Sequence, residues 1–509
     1  MGFGRALEIL KEKQSFMDHH RNMTLGELIG PAAKLSAASR AMPIAGLAVD
    51  SRQVEPGYLF AALPGVNTDG ARFIADAVQR GAAAILVPEG MADGPAETPA
   101  KIPVIPDPDP RRRLALIAAC FFGQQPQTQI AVTGTNGKTS VASFVRQLWA
   151  EQGFSAASLG TVGVMSPSGT KKLSHTTPDP IELHAILADL AKAGVTHLAL
   201  EASSHGLQQR RIDGVTLTAG AFTNISRDHL DYHASFEDYF DQKLRLFREL
   251  LPRGATAVVD ADSEGSARVA DEAEAHGLKL ISVGRLGETL RLVASDIDDF
   301  AQVLVIEHER KRHTVRLPLV GDFQASNALV AVGLCLATGG NADDVLPRLA
   351  KLRGARGRLD LAGTAKCGAP IFIDYAHTPD ALAKALDALR PYVDGRLIVV
   401  FGCGGDRDKG KRPQMGAAAI TKADVAIVTD DNPRSEDAGQ IRREILAAAQ
   451  GATEIGDRAE AIAEAVAMLR VGDVLLVAGK GHETGQIVGK TVIPFSDHDA
   501  VSAALAQEA

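Results

Sequence analysis

The sequence predicts an α/β protein with parallel sheets, and three observations carry that reading. Apolar, strand-like runs alternate with stretches of helical periodicity along most of the chain. One run, Gln129–Thr133, leads into the glycine-rich turn Gly134-Thr135-Asn136-Gly137-Lys138-Thr139-Ser140 and then a helical pattern over Val141–Ala150. Four runs in the last third each end in a polar loop: Pro370–Ile373 before DYAHTPD, Leu397–Phe401 before GCGGDRDKGKRP, Val425–Val428 before TDDNPR and Val474–Ala478 before GKGHE. Ligands of open α/β sheets bind outside the carboxyl ends of the strands, so these loops predict a binding crevice.

The 509 residues suit roughly three domains, and a hydrophobic content of 45% is enough for several cores. Residues 1–22 are polar and mixed in charge and read as an N-terminal extension. In a first section, 23–125, Gly46–Val49 and Tyr58–Leu63 read as short strands, and Phe73 to Val87 as a helix running into a strand. Pro103, Pro106, Pro108 and Pro110 punctuate a loop before the helix Arg111–Phe122, and Gly123–Pro126 reads as a linker. The second section, 126–356, adds strand-like runs at His197–Leu200, Gly220–Thr223 and Thr256–Val259 and an extra β segment over about 290–320. The third section is 357–509.

A net charge of -8 without a Lys/Arg block gives no case for nucleic acid or an anionic membrane surface as partner. The four cysteines, Cys120, Cys335, Cys367 and Cys403, are scattered and form no CxxC pair, which suits a reducing compartment and argues against a disulfide framework or zinc site. No apolar run approaches the ~18 residues that span a bilayer, and no signal-peptide core opens the chain. The expected location is therefore the cytoplasm, without membrane insertion.

In the turn after Gln129–Thr133, glycines let the backbone curl its N–H groups toward phosphate oxygens. Lys138 is placed to reach terminal phosphates and Thr139 to ligate Mg2+. The usual first glycine of this motif is replaced by Val132, so the loop is a variant, TGTNGKTS.

Glu201 ends an apolar strand in LALEASSHG, where a carboxylate can bind Mg2+ directly or through water. The alternative reading is a surface glutamate in a polar loop. His229 lies in NISRDHLDYH among Asp228, Asp231 and His233, a polar cluster just past a strand. Phe236–Leu251 reads as one amphipathic helix, with Phe236, Tyr239, Phe240, Leu244, Phe247 and Leu250 on its apolar stripe. Lys243 falls on or beside that stripe. A lysine there either snorkels from the edge or, if desolvated, loses its proton and becomes able to take up CO2 as a carbamate, an anion able to bind Mg2+.

DSRQVEPGYLF, TGTNGKTS, HTTPDP, EASSHGLQQRR, NISRDHLDYH, the Lys243 helix, GDFQASN, GRLD, DYAHTPD, GCGGDRDKGKRP, DNPR and GKGHE follow one another through essentially the whole chain after residue 22. In that order and spacing they resemble the Mur ligase family of peptidoglycan synthesis. The resemblance implies a three-domain architecture: a small N-terminal α/β domain for the UDP end of the substrate (23–125), a central P-loop ATPase with a parallel sheet (126–356) and a Rossmann-like C-terminal amino-acid domain (357–509). It implies an ATP-dependent acid–amino-acid ligase that releases ADP and phosphate, uses Mg2+ and, for lysine carbamylation, CO2, and works as a monomer on small-molecule substrates.

The resemblance also implies residue roles. Ser51, Asn67 and Thr68 would hold the UDP portion, and Thr176, Thr177, Ser203, Gln209 and Arg211 the muramoyl-peptide. The loop Gly134–Ser140, with Asn327, Arg358 and Asp374, would hold ATP. Lys243 would be the family's carbamylated lysine (N6-carboxylysine), serving the magnesium ions with Thr139, Glu201 and His229. DNPR resembles the signature of the diaminopimelate-adding members, which join meso-diaminopimelate to the D-glutamate γ-carboxylate of UDP-MurNAc-L-Ala-D-Glu through an acyl phosphate. Arg434 would pair bidentately with the distal carboxylate that lysine lacks. Asp431 and Glu483 would hold the distal ammonium, with Arg407, Asn432, Pro433 and Gly479 completing the cradle. His205 and His377 are the candidates for the base that deprotonates the attacking amine.

Gln324, Ala234 and the stretch Asp260-Ala261-Asp262-Ser263 depart from the usual family pattern, which bears on nucleotide contacts rather than on reaction class. Competing readings are a lysine-adding or folylpolyglutamate-type ligase, against which DNPR and DSRQVEPG argue, and an ATP-binding regulatory module, whose ATPase would be indifferent to the muramoyl substrate.

Overall fold

A computed structural model describes residues 23–31, 35–65, 69–91, 102–226 and 232–507. The chain forms two compact units, one of residues up to 138 with 149–259 and 263–281, the other of 139–148, 260–262 and 282 onward.

The first unit holds a short two-stranded ladder, Met23–Thr24 with Pro43–Ile44, and two larger sheets. In the smaller of these two, Gly46–Ala48, Tyr58–Ala61, Ala84–Pro88 and Val104–Asp107 lie parallel in that order. The stretch read as a proline loop thus contains a strand. Its Pro106 lies opposite Val87 on an edge strand, where a missing N–H costs no ladder bond. Helix Pro110–Phe122 starts with proline at its first turn, and the Asp109 side chain caps it by accepting from Arg112 N at 3.1 Å. Its Leu114, Ile117 and Phe121 join Leu47, Leu59, Leu86 and Ile105 in one core.

In the larger sheet the order is Gly169–Lys171, Gly163–Ser166, Ala156–Gly160, His197–Glu201, Thr128–Thr133, Ala219–Phe222, Thr256–Asp260. The last five are parallel, and the first two form an antiparallel hairpin on Ala156–Gly160 that the sequence reading missed. Thr128–Thr133 is central and almost wholly buried, as a strand covered on both faces by helices must be. The predicted helix over 236–251 is two elements. An α-helix, Phe236–Arg245, is capped by Ser235, and a π-helical turn, Leu246–Leu250, follows. Such a turn shifts the register of side chains by one residue, which an i, i+3, i+4 pattern of this length does not register. Tyr239, Phe240, Leu244 and Phe247 all enter the core.

The second unit carries an antiparallel meander, Leu290–Asp298, Ala301–His308 and Lys311–Leu317, in the region read as an extra β segment. Helix Asp322–Ala337 is buried along most of its length. The C-terminal sheet runs Asp360–Thr364, Pro370–Asp374, Val474–Ala478, Leu397–Phe401, Val425–Val428, Thr453–Glu454. All neighbours are parallel except the first pair. Because the strands ending at Asp374, Phe401, Val428 and Ala478 are parallel, the loops after them all emerge at one end of the sheet. A small hairpin, Gly485–Val488 with Thr491–Pro494, follows the last of these loops. Among the described residues no helix is long and apolar enough to cross a membrane.

Candidate functional site

The phosphate loop starts where Thr128–Thr133 ends and its helix, Lys138–Glu151, begins at Lys138 itself. Gly134 has φ 142° and Gly137 φ 88°. A Cβ on Gly134 would lie 2.0 Å from Thr223 Oγ1, so only glycine fits. The loop is braced from the next strand end. Thr135 N donates to Asn224 O at 2.8 Å, Asn136 N to Asn224 Oδ1 at 3.0 Å, and Thr223 Oγ1 to Asn136 O at 2.6 Å. Lys138 Nζ folds back onto Gly134 O (2.9 Å) and Thr135 O (2.8 Å).

Two buried groups flank this loop. Glu201, 1% exposed, closes the strand beside it, with its Cα opposite Val132. Its carboxylate accepts from Thr161 N at 2.8 Å and Thr161 Oγ1 at 3.1 Å. Gly160 makes room for it, since a Cβ there would sit 1.9 Å from Glu201 Oε1. Lys243 is also 1% exposed, so it does not snorkel. Its Nζ donates to Gly134 O at 2.7 Å and lies 4.3 Å from the centre of the Tyr239 ring. The Tyr239 hydroxyl shares a 3.0 Å hydrogen bond with Thr135 Oγ1. Among the described residues no three His, Cys, Asp or Glu side chains group as a metal cage. His229 lies outside the described residues, as do Asn67 and Thr68.

Thr176, Thr177, Ser203, Gln209 and Arg211 come together beside Glu201. Thr177 Oγ1 donates to Glu201 O (2.9 Å) and shares a hydrogen bond with Ser203 Oγ (3.1 Å). Thr176 Oγ1 meets Thr161 Oγ1 at 3.1 Å. Arg211 donates to Thr177 O at 2.5 Å and to Gln209 Oε1 at 2.8 Å, while Gln209 Nε2 donates to the Tyr232 hydroxyl at 2.9 Å. The His205 ring packs against Tyr232, tilted by 34°, with ring centres 3.7 Å apart. Ser51 is buried in a short 3-10 turn capped by Asp50. Its hydroxyl, with Arg80, holds the Asp76 carboxyl below the usual carboxylate range.

In the second unit, Gln324 links two of the residues expected at the nucleotide. It is fully buried, donates to Arg358 O at 3.2 Å and accepts from Asn327 Nδ2 at 3.3 Å. Asp374 accepts from Leu359 N and Ala376 N, both at 2.8 Å. Burial pushes its carboxyl up, against the nearby Arg358. Arg358 lies over the Tyr375 ring at 5.1 Å, and His482 packs on the same ring at 5.0 Å. Burial, with Arg358 and Arg356 nearby, pushes the His482 imidazole down to about 4. His377 Nδ1 donates to Tyr375 O at 2.8 Å, and burial holds the imidazole below its ordinary range.

The DNPR turn and the GKGHE loop meet at one end of the same sheet. Asn432 Nδ2 donates to Glu483 Oε2 at 2.9 Å. A Cβ on Gly479 (φ 116°) would lie 2.6 Å from Asp431 Oδ2, so glycine is needed for this approach. Arg434 adopts φ 52° and its Nη1 donates to Gly405 O at 2.9 Å, which ties DNPR to GCGGDRDKGKRP. Pro433 is buried beside it. Arg407 is exposed and its Nη1 donates to the adjoining Asp406 O at 3.0 Å. Sequence reasoning missed Thr161, Tyr239, Asn224 and Lys480. Tyr239 lay on the predicted stripe, and Asn224 and Lys480 lay inside the quoted motifs NISRDHLDYH and GKGHE; Thr161 carried no signal.

A glycine-rich phosphate loop beside a buried carboxylate and lysine, on a chain with a second set of polar loops along a Rossmann-like sheet, defines a multidomain nucleotide-dependent α/β protein. The chain belongs to the Mur ligase family. The family's catalytic domain matches residues 43–122, its middle domain 132–335 and its glutamate ligase domain 357–481. Two similar relatives are the UDP-N-acetylmuramoyl-L-alanyl-D-glutamate–2,6-diaminopimelate ligases of Bradyrhizobium diazoefficiens and Brucella melitensis. The first is 57% identical over 488 residues, covering 95% of this chain and 99% of the relative. The second is 56% identical over 463 residues, covering 91% and 94%. A solved structure of a ligase of the same name matches with a TM-score of 0.72 at 32% identity, covering 96% of this chain and 99% of that one. The multidomain α/β Mur ligase architecture expected from the sequence is the fold observed.

Proposed function

We propose that this chain joins meso-diaminopimelate to the D-glutamate γ-carboxylate of UDP-MurNAc-L-Ala-D-Glu in an ATP-dependent reaction of cytoplasmic peptidoglycan precursor synthesis. The observation that carries this reading is the Asp431–Arg434 turn, tied to Glu483 through Asn432 Nδ2 and to Gly405 through Arg434 Nη1; in this reading its guanidinium and the carboxylates of Asp431 and Glu483 form the cradle. A second amino-acid head needs that combination, and the L-lysine side chain offers no carboxylate to the guanidinium. The relatives named above support the same reaction.

In this reading 23–125 binds the UDP end through Ser51, Asn67 and Thr68, 126–356 is the ATPase, 357–509 takes the amino acid, and the protein acts as a monomer. Thr176, Thr177, Ser203, Gln209 and Arg211 orient the muramoyl-peptide. Gly134–Ser140, Asn327, Arg358 and Asp374 hold ATP. Arg407, Asp431, Asn432, Pro433, Arg434, Gly479 and Glu483 hold diaminopimelate.

A carboxylate is a poor electrophile, so ATP first phosphorylates it. The amine then attacks the acyl phosphate, and the tetrahedral intermediate collapses with loss of phosphate. Lys138 neutralises charge on the transferring group. The buried Glu201 carboxylate suits Mg2+, whereas Lys243 suits it only as a carbamate formed with CO2, because an ammonium repels a cation. Thr139, Glu201, His229 and carbamylated Lys243 would hold the metal, which supplies charge neutralisation to phosphoryl transfer. His205 or His377 accepts the amine proton.

The test is phosphate release with ATP, Mg2+ and UDP-MurNAc-L-Ala-D-Glu, comparing meso-diaminopimelate with L-lysine. Release with diaminopimelate alone, with the tripeptide product seen by mass, is expected. Equal release with lysine would overturn the specificity, and release indifferent to the UDP-sugar would overturn the reaction.

A further inference from the structure

Lys480, in the second position of GKGHE, is a fully buried cation. Its Nζ donates to Asn432 Oδ1 at 3.0 Å, to Gly485 O at 2.9 Å and, more loosely, to Glu483 Oε2 at 3.4 Å. One ammonium thus joins the DNPR turn, the GKGHE loop and the root of the hairpin Gly485–Pro494.

The hydrogen bonds have a direction. Asn432 Oδ1 faces two donors, Lys480 Nζ and Ile487 N (2.9 Å), so its amide nitrogen must point the other way, toward Glu483 Oε2. The hairpin in turn holds the backbone of Arg434. Arg434 N donates to Ile487 O at 2.9 Å and Gly489 N donates to Arg434 O at 2.7 Å. Arg434 therefore keeps its left-handed backbone because the hairpin is locked, and Lys480 locks the hairpin at Gly485.

A lysine costs more to bury than an apolar side chain of the same length, so stability alone does not account for it. What the ammonium supplies is orientation. We propose that Lys480 is a positioning residue for the incoming amino acid: it fixes the Asn432–Glu483 pair and the Arg434 turn in the geometry that receives a second amino-acid head. This rests on the reading of that pocket as the diaminopimelate site.

The experiment is steady-state phosphate release with Lys480→Met, Glu483→Gln and the double variant, giving separate KM values for meso-diaminopimelate, ATP and the UDP-sugar. KM does not depend on how much of a preparation is folded, so a lower yield does not mimic the effect. Lys480→Gln carries the same comparison if the Met variant gives no folded protein. The expected result is a diaminopimelate KM raised about tenfold in Lys480→Met, the size of one lost charge-assisted hydrogen bond. The other two KM values stay within about twofold, and the double variant is less than additive. All three KM values rising together, no rise, or full additivity would overturn the positioning role. If Glu483→Gln by itself leaves the diaminopimelate KM unchanged, the assignment of the pocket fails instead.

Discussion

Lys243 Nζ donates to the carbonyl oxygen of Gly134 at 2.7 Å, although the two residues are 109 apart in sequence. The contact fastens helix Phe236–Arg245 to the first residue of the phosphate loop. Tyr239, one turn earlier on that helix, strengthens the link with its ring against the ammonium and its hydroxyl on Thr135. The chemistry available to Lys243 and the shape of the phosphate loop are therefore set by the same few groups.

Lys243→Ala removes both the link and any carbamate. Phosphate release is expected to fall by on the order of 100-fold or more, as when one charge-stabilising group is lost from an active site. Short carboxylates such as acetate should restore part of it by standing in for the carbamate. Full activity in the variant would end the carbamate reading.

Gly160→Ala displaces Glu201 without altering its chemistry, because the new Cβ would meet Glu201 Oε1 at 1.9 Å and Cδ at 2.3 Å. The Mg2+ concentration needed for half-maximal activity should rise roughly tenfold or more. A magnesium titration like that of the parent protein would separate Glu201 from the metal.

Arg434→Lys keeps the charge and loses the planar fork. The kcat/KM for meso-diaminopimelate should drop about 100-fold, the cost of a lost bidentate pair at a part-buried site. The ratio to L-lysine should narrow in parallel. An unchanged ratio would remove Arg434 from specificity.

His184 lies in helix Pro180–Lys192, 1% exposed, with neither ring nitrogen meeting a hydrogen-bond partner among the described residues. Burial pushes its imidazole down to about 4, from an ordinary value of 6.5. Between those values the unfolded chain binds a proton that the folded one refuses. Stability from this group is complete above about pH 6.5 and drains away as pH falls toward 4. His184→Leu should remove up to about 3 kcal/mol of that acid sensitivity. Urea unfolding at pH 7 and pH 5 reads it as a smaller difference between the two, and an unchanged difference would assign the acid loss elsewhere.

Strand ends and turn chemistry are local, and so they were legible. Thr128–Thr133 with its glycine loop, and the four C-terminal strands with their polar loops, stand where alternation and glycine placement put them. The proline-punctuated strand Val104–Asp107 was not legible, because only its place on a sheet edge makes Pro106 harmless. The π-helical turn after Arg245 was also hidden, since it leaves the apolar spacing nearly intact.

The site divides the same way. Residue types in the glycine-rich loop pointed to phosphate, and the family resemblance of DNPR implied a zwitterionic head. Whether Lys243 snorkels or is buried, and whether Lys480 is a surface charge or an internal tie, had no answer in spacing. Both depend on partners brought from distant segments: Gly134 for one, Asn432 and Gly485 for the other. A buried ammonium persists only where carbonyl and carboxylate oxygens surround it, and the packing of the folded chain alone decides which oxygens those are.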